Sequence, residues 1–154
     1  MTTLTRRRDL QSPNETWRIF FGDVQAGTIA KRAEGPSGSP AWQWFCGFYP
    51  GSHPGEQQAG SAQSYEQARR AFEAAWHVFF SNRSPEDFDE WREHHAFTAW
   101  KYAMWDAGCR LPPQTPSGRS RCFCGTLIDL TTTVAHIRSS HMPPPQSFDP
   151  GQRD

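Results

Sequence analysis

Cys122-Phe123-Cys124 is followed by eleven residues, then His136, four more residues, and His141. These two thiols and two imidazoles lie in a stretch with almost nothing else to fold around. Upstream, 111–120 holds three Pro and one Gly and reads as a linker; downstream, Met142 is followed by three prolines that stop any helix. A segment so short and so poor in apolar side chains needs a staple to hold a fold. The four side chains supply the donors for one, and they constrain this part of the chain more than any other feature does.

Thiolate and imidazole together suit Zn2+, a borderline-soft ion with a tetrahedral preference and no redox demand. Gly125, directly after Cys124, lets the backbone turn tightly around an ion. Leu127, Ile128 and Leu130 read as a short strand and a small core. Asp129 or Thr131 then caps a helix running through Met142, with Val134 and Ile137 on one face. His136 and His141 are five apart, whereas helical neighbours on one face are three or four apart. The last turn must therefore loosen, and the proline run permits it. Cys109, just upstream, is an alternative ligand. The stretch resembles a two-Cys, two-His zinc finger of the ββα kind over residues 120–142. It departs from that pattern in having one residue between the thiols instead of two to four, and aliphatics in place of the aromatic before the helix. The resemblance implies a Zn2+ held by Cys122, Cys124, His136 and His141 in a closed structural site. Four protein ligands leave no position for substrate water, so no enzymatic role is expected. The chain has no His-Glu-x-x-His helix motif, and the adjacent pair His94-His95 points in two directions.

The rest of the chain reads as an α+β protein. Mean hydropathy is −0.77, yet 14% of residues are aromatic, with seven Trp and eleven Phe. Large rings can build a core where aliphatics are scarce. Residues 1–15 are polar, include Arg6-Arg7-Arg8, and read as a disordered basic tail. A three-stranded antiparallel sheet plus helix follows over 16–82. Trp17, Ile19 and Phe21 alternate, Gly22-Asp23 marks a turn, and Thr28-Ile29-Ala30 forms a second strand with Gly27 as a bulge. Residues 34–40 form a loop. The third strand, 41–49, sets Trp42, Trp44, Cys46 and Phe48 on one face and Phe45 and Tyr49 on the other. Cys46 reads as a small buried hydrophobe. Residues 50–60 form another loop. Ser64 and Gln67 make a capping box for a helix over 65–80, whose stripe of Ala68, Ala71, Phe72, Ala75, Trp76 and Phe79 covers the tryptophan face. A long aromatic helix, 84–108, starts at Ser84-Pro85 and stops at Gly108, with Phe88, Trp91, His95, Tyr102 and Trp105 as its stripe; Phe97 and Trp100 fall off that stripe, so the helix is expected to contact two surfaces, the first module and a partner subunit. Residues 109–120 are the linker, 121–142 the zinc-finger-like module and 143–154 a disordered tail.

Sixteen basic and sixteen acidic side chains cancel, which argues against a strong global attraction to nucleic acid. Locally the balance differs. Between Cys109 and His141 stand Arg110, Arg119, Arg121 and Arg138 against the single acid Asp129. These arginines, with Thr132 and Thr133 at the start of the helix, are candidate contacts to phosphate or base edges. A lone finger reads only about three base pairs, so more surface is needed. In the first module, three strands lead into a helix opening with Gly60, Ala62, Ser64 and Ala68. This resembles the sheet-plus-helix DNA-binding domains of integrase arms and plant ethylene-response factors. The resemblance implies a sheet face carrying Arg18, Lys31, Arg32 and Gln43. The expected partner is therefore nucleic acid, DNA first, in a regulatory or accessory role. The alternative is a protein-interaction adaptor with a purely structural zinc, its 84–108 helix serving as a partner surface or homodimer contact. No apolar run approaches the roughly 20 residues of a membrane span. The first eight residues have no apolar stretch behind their arginines, which reads as a cytoplasmic chain without a secretory leader or disulfide framework.

Overall fold

The computed structural model describes residues 3–33 and 39–142. The tail expected at 143–154 and the middle of the 34–40 loop lie outside the described residues. The architecture is α+β, in two compact units that divide between Trp91 and Arg92.

The first unit is an antiparallel meander of five strands, not three: β1 (Leu4–Arg8), β2 (Thr16–Phe21), β3 (Val24–Lys31), β4 (Trp42–Cys46) and β5 (Gln58–Ala62), paired in chain order. Strand β1 replaces much of the expected tail. It pairs with β2 from Leu4↔Phe21 to Arg8↔Trp17, and its arginines pack instead of repelling. The Arg6 guanidinium lies 4.2 Å from the Trp17 ring centre and 4.8 Å from that of Tyr65. Arg8 pairs with Glu15 at 3.2 Å. A cation-rich edge also discourages further strand pairing. Strand β5 falls inside the expected 50–60 loop because its own residues are small and carry little β signal. That signal sits across the sheet. Gly60 pairs with Trp44, and a Cβ at Gly60 would lie 2.7 Å from the indole. The ring thus covers a position where only glycine fits.

Between β2 and β3 the turn is the expected Gly22-Asp23, with Gly22 at φ 60 as a two-residue hairpin requires. The register slips after Ile19↔Gly27 to Phe20↔Gln25, so Ala26 is the extra residue of a bulge beside Gly27. Helix α1 (Tyr65–Ser81) packs one face of the sheet and buries Ala68, Phe72, Trp76 and Phe79 against Ile19, Phe21, Ile29, Trp42, Cys46 and Phe48. Ser64 Oγ accepts from the Gln67 amide at 3.2 Å, but the Gln67 side chain accepts from Gln63 N–H, one residue before the cap. The box is therefore offset from the expected Ser64–Gln67 reciprocity. Arg83, almost fully buried, pairs with Glu56 and donates to the Gly51 carbonyl. This fastens the 50–57 loop to the end of α1.

Helix α2 (Pro85–Asp106) ends in a Schellman motif: Cys109 N–H donates to Met104 O at 2.9 Å and Gly108 N–H to Trp105 O at 3.0 Å, with Gly108 at φ 70. Its buried row is not the expected stripe. Phe88 belongs to the first core, but in the second unit the buried residues are Ala96, Trp100 and Met104, four apart. Tyr102 is 69% exposed and Trp105 80% exposed. One helix serves two cores, so a single stripe drawn through all its turns merges two faces. The expected linker is also partly structured. Pro112–Gln114 form a 3-10 turn with Pro112 buried, and Arg119–Arg121 form β6, which pairs with β7 (Leu127–Asp129). Helix α3 (Thr133–Ser140) completes the second unit. Among the described residues no helix is long and apolar enough to cross a membrane.

Candidate metal centre

The β6–β7 turn presents both thiols. Cys122 N–H donates to Thr126 O and Gly125 N–H to Cys122 O, each at 2.8 Å, and Gly125 takes φ 95, where a side chain would be strained. Asp129 then starts α3. Its carboxylate accepts from the Thr131 and Thr132 amides at 2.8 and 3.0 Å and from the Thr131 hydroxyl at 2.7 Å. These bonds, the Thr131 hydroxyl first, hold the Asp129 carboxyl below its ordinary range. The N-cap is Thr132, with no side-chain cap bond, so neither expected cap, Asp129 or Thr131, holds that position; Asp129 closes the turn that leads into α3. His136 lies within α3. His141 is its C-cap, at φ −128 and ψ 4, with its N–H still bonded to Ile137 O. The loosening that a five-residue spacing demands falls at this residue.

The four side chains converge. One ligand atom from each of Cys122, Cys124, His136 and His141 lies within 4.8 Å of all the others. Cys122 Sγ is 3.3 Å from His141 Nε2, Cys124 Sγ is 3.4 Å from His136 Nε2, and the two Nε2 atoms are 3.2 Å apart. Thiolate bonds of about 2.3 Å and imidazole bonds of about 2.05 Å to one tetrahedral ion give N···N edges near ~3.3 Å and S···N edges near ~3.6 Å. These three separations match within a few tenths of an ångström, and the four residues could hold a metal ion.

Neighbouring groups orient the donors. The Trp100 indole N–H donates to Cys122 Sγ at 3.3 Å, and both residues are buried. The Thr126 hydroxyl lies 3.4 Å from Cys124 Sγ. That contact, followed by the Thr126 amide, lowers the Cys124 thiol pKa to about 6. Phe123 packs on His141 with ring centres 4.8 Å apart. Cys122 also belongs to the core of the second unit, with Ala96, Trp100, Met104, Ile128 and Ile137. Of the aliphatics expected to form a small core here, only Ile128 and Ile137 are buried; Leu127, Leu130 and Val134 are exposed. Strand alternation turns Leu127 outward, and the core they were expected to build is supplied by α2.

Cys109 is not part of the cluster; its thiol faces the Ala107 carbonyl at 3.9 Å. Cys46 is buried, and burial pushes its thiol up to about 12, as suits a small hydrophobe. Several candidate nucleic-acid contacts are engaged within the fold. Arg138 pairs with Glu93 at 2.6 Å, Arg121 donates to Gly125 O at 3.1 Å, and the Thr132 and Thr133 hydroxyls bond the Asp129 backbone at 2.9 and 2.6 Å. Arg110 and Arg119 are exposed. In the first unit Arg18 and Gln43 share a sheet face. Lys31 pairs with Trp42 and so alternates to the other face; Arg32 follows it and returns to the first. Thr126 escaped the sequence reading, and Trp100, read there only as a ring off the helix stripe, was not seen as a neighbour of Cys122. No protein-family model, curated protein or solved structure matches this chain.

Proposed function

We propose that Cys122, Cys124, His136 and His141 hold one Zn2+ in a closed structural site, in a module of the ββα finger type, and that the protein binds nucleic acid in a regulatory or accessory role. The observation that carries the zinc reading is the convergence of four lone-pair donors within 4.8 Å of one another, three of their separations lying at 3.2 to 3.4 Å. An S2N2 tetrahedron is the preferred geometry of zinc. Four protein ligands close the sphere, so the ion holds the fold and does no chemistry. The nucleic-acid reading is supported by exposed arginines on both units: Arg110, Arg119 and Arg121 on one, Arg7, Arg18 and Arg32 on the other. Metal analysis of protein purified without a His tag should give about one zinc per chain, lost in Cys122→Ser. Unchanged metal content in that variant ends the zinc reading. In a mobility-shift titration, DNA binding should fall steeply with salt; no binding at low salt ends the nucleic-acid reading.

A second reading, a protein adaptor or homodimer, is favoured by α2. Tyr102 and Trp105, three residues apart, stand 69% and 80% exposed. If that surface is a dimer contact, light scattering should show a dimer that Trp105→Ala dissociates. A monomer at high concentration rules out the homodimer.

A further inference from the structure

We propose that the open face of the five-stranded sheet is a stacking platform for single-stranded nucleic acid. This deepens the nucleic-acid reading above, and rests on it, by naming the surface and the class of partner. Helix α1 packs the other face, where Ile19, Ile29, Trp42 and Cys46 are buried. The strand register leaves a continuous row on the open face: Arg7↔Arg18, Arg18↔Thr28, Thr28↔Phe45, Phe45↔Ala59. Beside it runs Thr5↔Phe20 and Phe20↔Gln25, and on the other side Ala30↔Gln43 and Gln43↔Ser61. No residue of these rows is buried.

Three features of this face point to one occupant. Phe45, on an interior strand of the sheet, is 48% exposed, where a solvent-facing position ordinarily carries a polar side chain. The Arg7 guanidinium lies 4.7 Å from the Phe20 ring centre, so a flat cation and an aromatic ring are already stacked on this surface. Arg7 and Arg18 stand directly opposite each other, a like-charge pair that destabilises a sheet unless an anion offsets it. Arg32 continues the same alternation past the end of β3. The strands supply no acid to this face. Asp9, Glu15 and Asp23 lie just beyond the strand ends; the Asp9 carboxylate accepts from Gln11 N–H at 3.0 Å and Glu15 pairs with Arg8 at 3.2 Å.

Aromatic rings with arginines between them match unpaired bases and their phosphates. Phe20 and Phe45 sit on strands two spacings apart, about 10 Å, with Thr28 and Gln25 between them to hydrogen-bond base edges. A duplex hides its base faces inside the stack and offers such rings nothing. The tryptophans of the sheet, Trp17, Trp42 and Trp44, lie on the helix-covered face, so they are not available to enter a duplex groove. Stacking and phosphate contact are indifferent to the sugar, so DNA and RNA single strands should bind alike.

The test uses the full chain, zinc-replete, with fluorescence anisotropy on labelled oligo(dT), oligo(U) and a duplex of matching length. Single strands should bind more tightly than duplex, with oligo(dT) and oligo(U) within a few-fold of each other. Phe45→Ala should weaken single-strand binding about tenfold or more, Phe45→Trp should retain it, and Arg18→Ala should reduce both affinity and salt slope. Unaltered thermal melting of the variants shows that the sheet is intact, as expected for side chains that reach solvent. Should Phe45→Ala melt early, the decision passes to Arg18→Ala. Single-strand binding unchanged in Phe45→Ala and Arg18→Ala, a preference for duplex, or binding restricted to one sugar overturns the platform while leaving the nucleic-acid reading standing. No binding to any of the three probes at low salt overturns both.

Discussion

Replacing Trp100 by phenylalanine isolates one interaction at the metal centre. The ring still fills the second core, but the indole N–H that donates to Cys122 Sγ at 3.3 Å is gone. Trp100 is 3% exposed and Cys122 2% exposed, so water cannot replace the lost donor. A hydrogen bond to a charged group contributes about 1.5–3 kcal/mol, and sulfur is a weak acceptor. The low end, about 1.5 kcal/mol, corresponds to about a tenfold loss, at the foot of the roughly 10–100-fold range for losing a group that orients a metal ligand. Zinc affinity measured by competition with a chromophoric chelator should therefore fall about tenfold in Trp100→Phe. Trp105→Phe, at an exposed position, should leave it unchanged. Lost packing alone would also lower affinity, so the cobalt-substituted protein supplies the second measurement. Removing a donor from a coordinated thiolate raises its electron density and moves the sulfur-to-metal charge-transfer band to lower energy. A packing defect has no reason to move that band. Wild-type affinity together with an unshifted band would refute the assigned role of Trp100.

Chelation should act on one unit. Removing metal should melt 92–142 and leave the sheet core around Phe72 and Trp76, so amide exchange should accelerate in α3 and β6–β7 but not in β3–β4; uniform acceleration counts against it. In metal-free protein, Cys124, its thiol lowered to about 6, should alkylate readily at neutral pH, while buried Cys46, pushed up to about 12, stays inert. A thiol pKa depressed by the fold contributes stability that is complete above the ordinary value of 9.0 and is lost as pH falls through about 6. The metal-free second unit should thus weaken on acidification across that window, followed by thermal melting; no change there contradicts it. In the sheet, Gly27→Ala would place a Cβ 2.0 Å from the Phe45 carbonyl oxygen and 2.7 Å from Phe72. It should cost about 3 kcal/mol or more in denaturant unfolding. Gly22→Ala meets nothing within 4 Å and should cost only the left-handed strain, about 1–2 kcal/mol.

The parts legible in the sequence are those whose signal is local. The helix at 65–81, the turn at Gly22-Asp23 and the stop at Gly108 each depend on residues within one turn of themselves. The convergence of Cys122, Cys124, His136 and His141 was legible because ligand type is chemical and their spacing is short. What escaped was written in partners. Strand β1 has no apolar alternation of its own, and its arginines are held by Trp17, Tyr65 and Glu15 from other elements. Strand β5 is a run of small polar residues until Trp44 is placed over Gly60. The charges of the 109–141 segment were legible as composition but not as availability, because Glu93, which occupies Arg138, lies 45 residues away in sequence.

The two units solve the shortage of aliphatic residues in different ways, and the difference bears on what the metal does. The first packs rings on one another around Trp76 and Phe48, with Phe21, Phe79 and Phe88 tilted, edge-on or stacked against them. It needs no staple. The second buries few side chains among its described residues, Ala96, Trp100, Met104, Pro112, Cys122, Ile128 and Ile137, and one of these is a candidate metal donor. Cys122 therefore belongs to the core and to the ligand set at once, and Trp100 touches both through one side chain. Ligation at Cys122 fixes the position of a core residue, and packing around Cys122 fixes the position of a ligand. For a unit with so little apolar area, the free energy of metal binding is then largely the free energy of folding. The same packing explains how the four donors converge with one residue between the thiols and no aromatic before α3: the core residues of α2 hold Cys122 in place.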